Sequence, residues 1–100
     1  MIYTVKTNSP DAEIDLKGRF TFADYSTFRE ITQIFDTHSS RNCTFDLRDL
    51  EFIDSAGLGM LLIARDKMSA NSGEVTLRGA QGQVRKMLDL GRLETLFKVE

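Results

Sequence analysis

The chain is expected to fold as an α/β domain, a small mixed sheet of four to five strands with helices packed on it. Short β-rich runs alternate with longer stretches whose apolar residues recur every three and four positions. The first two runs are separated by Asn8-Ser9-Pro10-Asp11, strong turn chemistry that makes them a hairpin. The later runs are joined through helices, which favours parallel pairing with right-handed crossovers. No repeat, low-complexity tract or linker divides the 100 residues, a length that supports one core and not two, so residues 1–100 are read as one domain.

Ile2, Tyr3 and Val5 mark the first strand. In the second, Ala12, Ile14 and Leu16 alternate with Glu13, Asp15 and Lys17, and Gly18 ends it. From Phe22 the period becomes helical, with Tyr25, Phe28, Ile31, Ile34 and Phe35 on one side and Asp24, Arg29, Glu30 and Gln33 largely on the other. This helix is expected from about Ala23 to about His38, closed by Ser39-Ser40-Arg41-Asn42. Cys43 to Leu47 reads as a mostly buried strand, and Leu58, Leu61, Leu62, Arg65 and Met68 carry a second helix to about Ala70. Asn71-Ser72-Gly73 stops that helix, Glu74 to Arg78 is another strand, and Val84, Met87, Leu88 and Leu90 mark a third helix ending near Gly91. Leu93, Leu96, Phe97 and Val99 form a closing apolar segment.

The most informative stretch is Phe52-Ile53-Asp54-Ser55-Ala56-Gly57-Leu58-Gly59-Met60-Leu61-Leu62, where an acid, a hydroxyl and two glycines stand as an apolar strand becomes a helix. The first N–H groups of a helix have no intrahelical partner, so Asp54 or Ser55 can cap them and an anion can sit there favourably. Ser55 is then a partly exposed hydroxyl beside positive potential. Taken locally, serine and aspartate at a helix start read as ordinary caps. Gly57 and Gly59 lack the further glycine of a dinucleotide motif and the Lys-Ser/Thr end of a P-loop. Their expected role is to lower the surface so that another protein's backbone, or a nucleotide held by a kinase, approaches closely, at a cost in helix stability.

Preceded by Leu47-Arg48-Asp49-Leu50-Glu51-Phe52-Ile53, the Asp-Ser-Ala-Gly-Leu-Gly motif resembles the STAS family, the anti-sigma factor antagonists, and the likeness runs over nearly the whole chain. The resemblance implies that the serine after the aspartate, Ser55, is phosphorylated by a partner serine kinase that is often also an anti-sigma factor. A PP2C-type phosphatase then removes the phosphate. The next family position is frequently a second hydroxyl and here is Ala56, which leaves Ser55 as the sole hydroxyl of the motif. Partner contact is implied for Asp54, Ser55, Ala56, Gly57, Leu58, Gly59 and Met60, with Leu62 or Ile63 extending the apolar surface. Asp46 and Asp54 agree with acidic positions typical of the family. One departure stands out: where many members carry an aspartate thought to contact the kinase, Gly18-Arg19-Phe20-Thr21 places Thr21, with Asp24 nearby but out of register.

A phosphoserine carries about −1.5 to −2 charges, which a helix N-terminus holds without melting. The expectation is therefore a switch by repulsion: unphosphorylated protein sequesters a kinase or anti-sigma-type regulator, and phosphate on Ser55 releases it. STAS domains also serve transport systems, and the alternative is a non-enzymatic docking subunit of an ABC-type lipid or anion transporter, indifferent to Ser55→Asp.

Composition bounds the rest. The 41% hydrophobic and 28% charged content is that of a soluble globular protein, and 13 basic against 15 acidic residues, net −2, argue against nucleic acid and anionic membrane surfaces. No run approaches a membrane span and Met1 to Lys6 lacks a signal-peptide layout, so a cytoplasmic setting is expected. Cys43 is the only cysteine, which suits a reducing compartment. One histidine and one cysteine without paired spacing fall short of a metal ligand set, and no cofactor is expected. Ser55 as an enzymatic nucleophile, with His38 as base and Asp46, Asp49 or Asp54 orienting it, is disfavoured: the Gly-x-Ser-x-Gly elbow is missing and no base is adjacent. Asp46, Asp49, Glu51 and Asp54 are read mostly as solvated residues. With modest size and no heptad pattern, the default is a monomer.

Overall fold

In the computed structural model, which describes residues 1–8, 11–38, 42–70 and 73–100, strands and helices alternate along the chain. They are β1 (Ile2–Asn8), β2 (Ala12–Phe20), a 3-10 turn at Phe22–Asp24, α1 (Tyr25–His38), β3 (Asn42–Asp46), β4 (Leu50–Ile53), α2 (Ser55–Ala70), β5 (Glu74–Arg78), α3 (Gly82–Leu90), a second 3-10 turn at Leu93–Thr95, and β6 (Lys98–Val99). Of the expected turns, Ser9 and Pro10, Ser39 to Arg41, and Asn71 with Ser72 lie outside the described residues.

Among the described residues the sheet has six strands, where four to five were expected. The two additions are β4, four residues long, and β6, two residues long, both too short to display an alternation of their own. The order is β1-β2-β3-β5-β6, with β4 pairing β2 beyond the end of β3. β1 and β2 form the antiparallel hairpin, Tyr3 opposite Leu16 and Val5 opposite Ile14, while the remaining pairings are parallel.

Gly18 does not end β2, as its residue type suggested. It sits at φ +86°, a conformation glycine adopts without steric cost, and the register shifts between Gly18 and Arg19. The chain bends there and continues: Ala12 to Asp15 pair with β3, and Gly18 to Phe20 pair with β4. One long strand thus carries the chain from the sheet centre to the corner where α2 begins.

Alternation along the strands sends Ala12, Ile14, Leu16, Cys43, Phe45, Val75 and Leu77 into the core. The helices cover that face with Phe28 and Ile31 from α1, Leu61, Ala64 and Met68 from α2, and Val84 and Leu88 from α3. Phe28 stacks on Phe20 at 5.0 Å between ring centroids and lies 5.8 Å from Phe45, joining α1 to both strands. Each large buried side chain contributes about 1.5–3 kcal/mol. Burial pushes the Cys43 thiol well above its ordinary pKa and leaves it protonated and inert.

On the outward face Arg78 of β5 bonds Glu13 of β2 and reaches Asp46 of β3 at 3.2 Å. Burial favours the neutral form of Asp46, but the Arg48 backbone N–H at 3.0 Å and the Arg78 and Arg48 charges outweigh it and hold the carboxyl below the usual range. Asp46 therefore adds stability at neutral pH that is lost as acid protonates it. It is a brace across three strands, whereas Asp49 and Glu51 are exposed as expected.

Two residues of the expected first helix, which starts at Tyr25 rather than about Ala23, depart from the periodic reading. Tyr25, placed on the inner side, is 58% exposed, because the helix starts from a 3-10 turn that rotates its first residue outward. Asp24, placed outside, is buried: its Oδ2 accepts from the Thr21 N–H at 2.8 Å while the Thr21 hydroxyl accepts from the Ala23 N–H, a capping box.

Candidate functional site

The ends of β2 and β4, the Phe22–Asp24 turn and the start of α2 converge on one residue, Asp54. Its N–H donates to the Phe20 carbonyl at 3.2 Å, extending the β2–β4 pairing. Its Oδ1 accepts from the Gly57 N–H at 2.8 Å and its Oδ2 from the Phe22 N–H at 3.2 Å. One carboxylate thus caps α2 and ties down the turn before α1. Between the two caps the sequence left open, the structure uses Asp54.

Ser55 is consequently free of capping duty. It is the first residue of α2, it is exposed, and its hydroxyl makes no hydrogen bond with the described residues. The N-terminal end of the helix dipole lies at that hydroxyl and favours added negative charge.

The two motif glycines face opposite ways. A Cβ on Gly57 would stand 2.7 Å from both the Phe20 carbonyl oxygen and Ile53 Cγ1, so this glycine lets α2 seat against the two strands. A Cβ on Gly59 would meet nothing within 4 Å. The expectation that both glycines lower an outer surface thus holds spatially for Gly59 alone; Gly57 is buried against a backbone that cannot yield.

Beside Ser55 runs a shallow apolar groove between α2 and the start of α1, lined by Phe22, Tyr25, Ala56, Gly59, Met60 and Ile63. Phe22 is 75% exposed and Ile63 47%. The groove continues past Phe28 and Thr32 to Arg29 and Lys67. Large apolar side chains at this exposure, gathered beside one polar hydroxyl, are typical of a protein-contact surface.

A family model for the STAS domain matches residues 3–100. The chain belongs to the STAS family. A STAS-domain containing protein of Pseudomonas aeruginosa is 34% identical over 86 residues, 86% of this chain and 84% of that protein. The anti-sigma factor antagonist SpoIIAA of Bacillus, in its unphosphorylated form, is similar with a TM-score of 0.76 at 18% identity, over 99% of this chain and 87% of that one. Its phosphorylated form gives 0.75 at 17% identity, over 99% and 91%. A sulfate transporter family protein of Wolinella succinogenes gives 0.74 at 16% identity, over 91% and 76%. At these identities the solved structures show a shared fold.

Of the seven motif positions in this STAS domain, the structure turns Ser55, Ala56 and Gly59 toward the exterior beside the groove, and Asp54 sits half-buried beneath them. Gly57 and Met60 point inward; Met60 is 5% exposed and supplies only the groove floor, because i to i+3 spacing puts it on the Gly57 side of α2. Leu58 and Leu62 are half-buried against the core, and Ile63 is the exposed apolar residue of α2. Thr21 and Asp24 are occupied with each other. The His38 side chain lies outside the described residues, and among the described residues no three His, Cys, Asp or Glu side chains gather as a metal would need. No helix among them is long and apolar enough to cross a membrane.

Sequence reasoning missed Phe22 and Tyr25 as groove walls, since a helical period assigns Tyr25 to the core. It also missed Gln83, whose partner is thirty residues away in the chain.

Proposed function

We propose that this STAS domain is a partner-switching regulator of the anti-sigma factor antagonist type. Its unphosphorylated form binds and sequesters a serine kinase or anti-sigma-type regulator, and phosphorylation of Ser55 releases that regulator. The observation that carries the reading is Ser55 itself: an exposed hydroxyl on the first helical residue, freed by Asp54, without a hydrogen bond among the described residues, and next in the chain to Ala56, which lines an apolar groove. A kinase can reach such a hydroxyl without unfolding anything, and a PP2C-type phosphatase can reach the product.

The consequence of modification follows from charge. At the N-terminus of α2 a phosphate is favourably placed with respect to the helix dipole, so the fold is retained. That SpoIIAA, of the same fold, exists in phosphorylated and unphosphorylated forms supports this. Against a partner packed on Phe22, Tyr25 and Ile63 the same phosphate is an unpaired charge in a closing apolar interface. A penalty of roughly 3–4 kcal/mol there converts tight binding into negligible binding.

The test is affinity capture from source-cell lysate with folded Ser55→Ala and Ser55→Asp baits. A kinase-like or anti-sigma regulator held by the alanine form and lost by the aspartate form supports the switch. The likeness to a sulfate transporter family protein favours a second reading, a docking subunit of a membrane transport system. Both baits retaining the same transporter components would establish it and reduce Ser55 to a surface residue.

A further inference from the structure

We infer that Gln83 of α3 is a positioning residue for the Asp54–Ser55 corner, so that α3 sets where the Ser55 hydroxyl stands. Among the described residues β4 is paired along one edge only, with β2. At its far end Gln83 supplies what a neighbouring strand would. Its Oε1 accepts from the Ile53 N–H at 2.9 Å and its Nε2 donates to the Ile53 carbonyl at 2.8 Å. A partly buried strand edge needs such partners, and here one carboxamide satisfies both backbone groups of one residue.

That residue immediately precedes Asp54. Fixing the Ile53 N–H and carbonyl constrains the peptide that leads into Asp54, whose carboxylate in turn holds the Gly57 and Phe22 N–H groups. A second carboxamide at the start of α3 works at the other end of the strand: Gln81 Nε2 donates to the Arg48 carbonyl at 2.9 Å, in the turn before β4. α3 is itself anchored, with Val84 and Leu88 fully buried. Contacts therefore run from the core through α3, Gln83 and Ile53 to the cap beneath Ser55. The functional consequence rests on the Ser55 reading given above; the clamp does not.

The experiment is residue-resolved amide hydrogen exchange by NMR on the full chain, with chemical denaturation alongside, for wild type, Gln83→Ala and Gln83→Glu. Removing both bonds in Gln83→Ala should speed exchange at Ile53 and Gly57 by about tenfold or more relative to Val75 and Leu77. Gln83→Glu keeps an acceptor for the Ile53 N–H and loses the donor, so it should fall between, and it carries the test if the alanine form does not fold. Phosphorylation of Ser55 in source-cell extract supplied with ATP, read by peptide mass, should slow in the same order. Protection falling by one common factor throughout the core, or unchanged at Ile53 and Gly57, would overturn the inference. Selective loss of protection with a wild-type Ser55 that takes no phosphate would uphold the clamp and sink the phosphorylation reading instead.

Discussion

The first turn of α2 has two faces built on opposite terms. Inward, Asp54 and Gly57 meet the ends of β2 and β4, where the Asp54 N–H bonds the Phe20 carbonyl, the Gly57 N–H bonds the Asp54 carboxylate, and a single methyl does not fit. Outward, Ser55 is exposed and a Cβ on Gly59 would meet nothing within 4 Å, with the exposed rings of Phe22 and Tyr25 lining a groove beside Gly59. The rigid face holds the open one in place. A chemical group can therefore be added to Ser55 without repacking the core, which is the property a charge-operated switch needs.

Substitutions on the two faces should separate accordingly. The largest effect is expected from Gly57→Ala, whose Cβ would press on the Phe20 carbonyl. A loss of about 2–3 kcal/mol in chemical denaturation is predicted, despite alanine's better helix propensity. Asp54→Ala comes next, with a loss of about 1–2 kcal/mol, because the cap disappears and the Phe22 N–H loses its acceptor. A loss below a few tenths would mean that the inward face is not held by this carboxylate.

Gly59→Ala, two positions along, should act in the opposite sense to Gly57→Ala. With open space at its Cβ it should stabilise the fold by up to about 1 kcal/mol. The same methyl narrows the groove, so partner capture should weaken while stability rises. If both glycine variants destabilise alike, the distinction between the faces fails. Ser55→Ala should be the quietest, within about 0.5 kcal/mol of wild type, since its hydroxyl bonds nothing among the described residues.

Much of this architecture is legible in the residues. The alternation of Ala12 to Lys17, the Phe28 and Ile31 positions of the first helical period and the Asp-Ser-Ala-Gly junction each express a local rule, and the structure obeys them. What escaped depends on partners distant in the chain. Gly18 looks like a strand end until β4 is there to pair with Arg19 and Phe20. Gly57 and Gly59 are indistinguishable until the Phe20 carbonyl comes up beneath one of them. Whether Asp54 or Ser55 caps α2 was settled by the Phe22 N–H, which gives the aspartate a second donor that serine cannot also satisfy. Gln83 carries no local signal at all, because its role exists only once α3 lies beside Ile53.

The most direct measurement is a calorimetric titration of the captured regulator with this domain in unphosphorylated form and phosphorylated at Ser55, with denaturation curves for both. The account predicts that the phosphorylated form unfolds no earlier than the unphosphorylated one, and that its affinity is at least about 100-fold weaker, the equivalent of roughly 3 kcal/mol. Equal affinities, or a phosphorylated form that has unfolded, would contradict it.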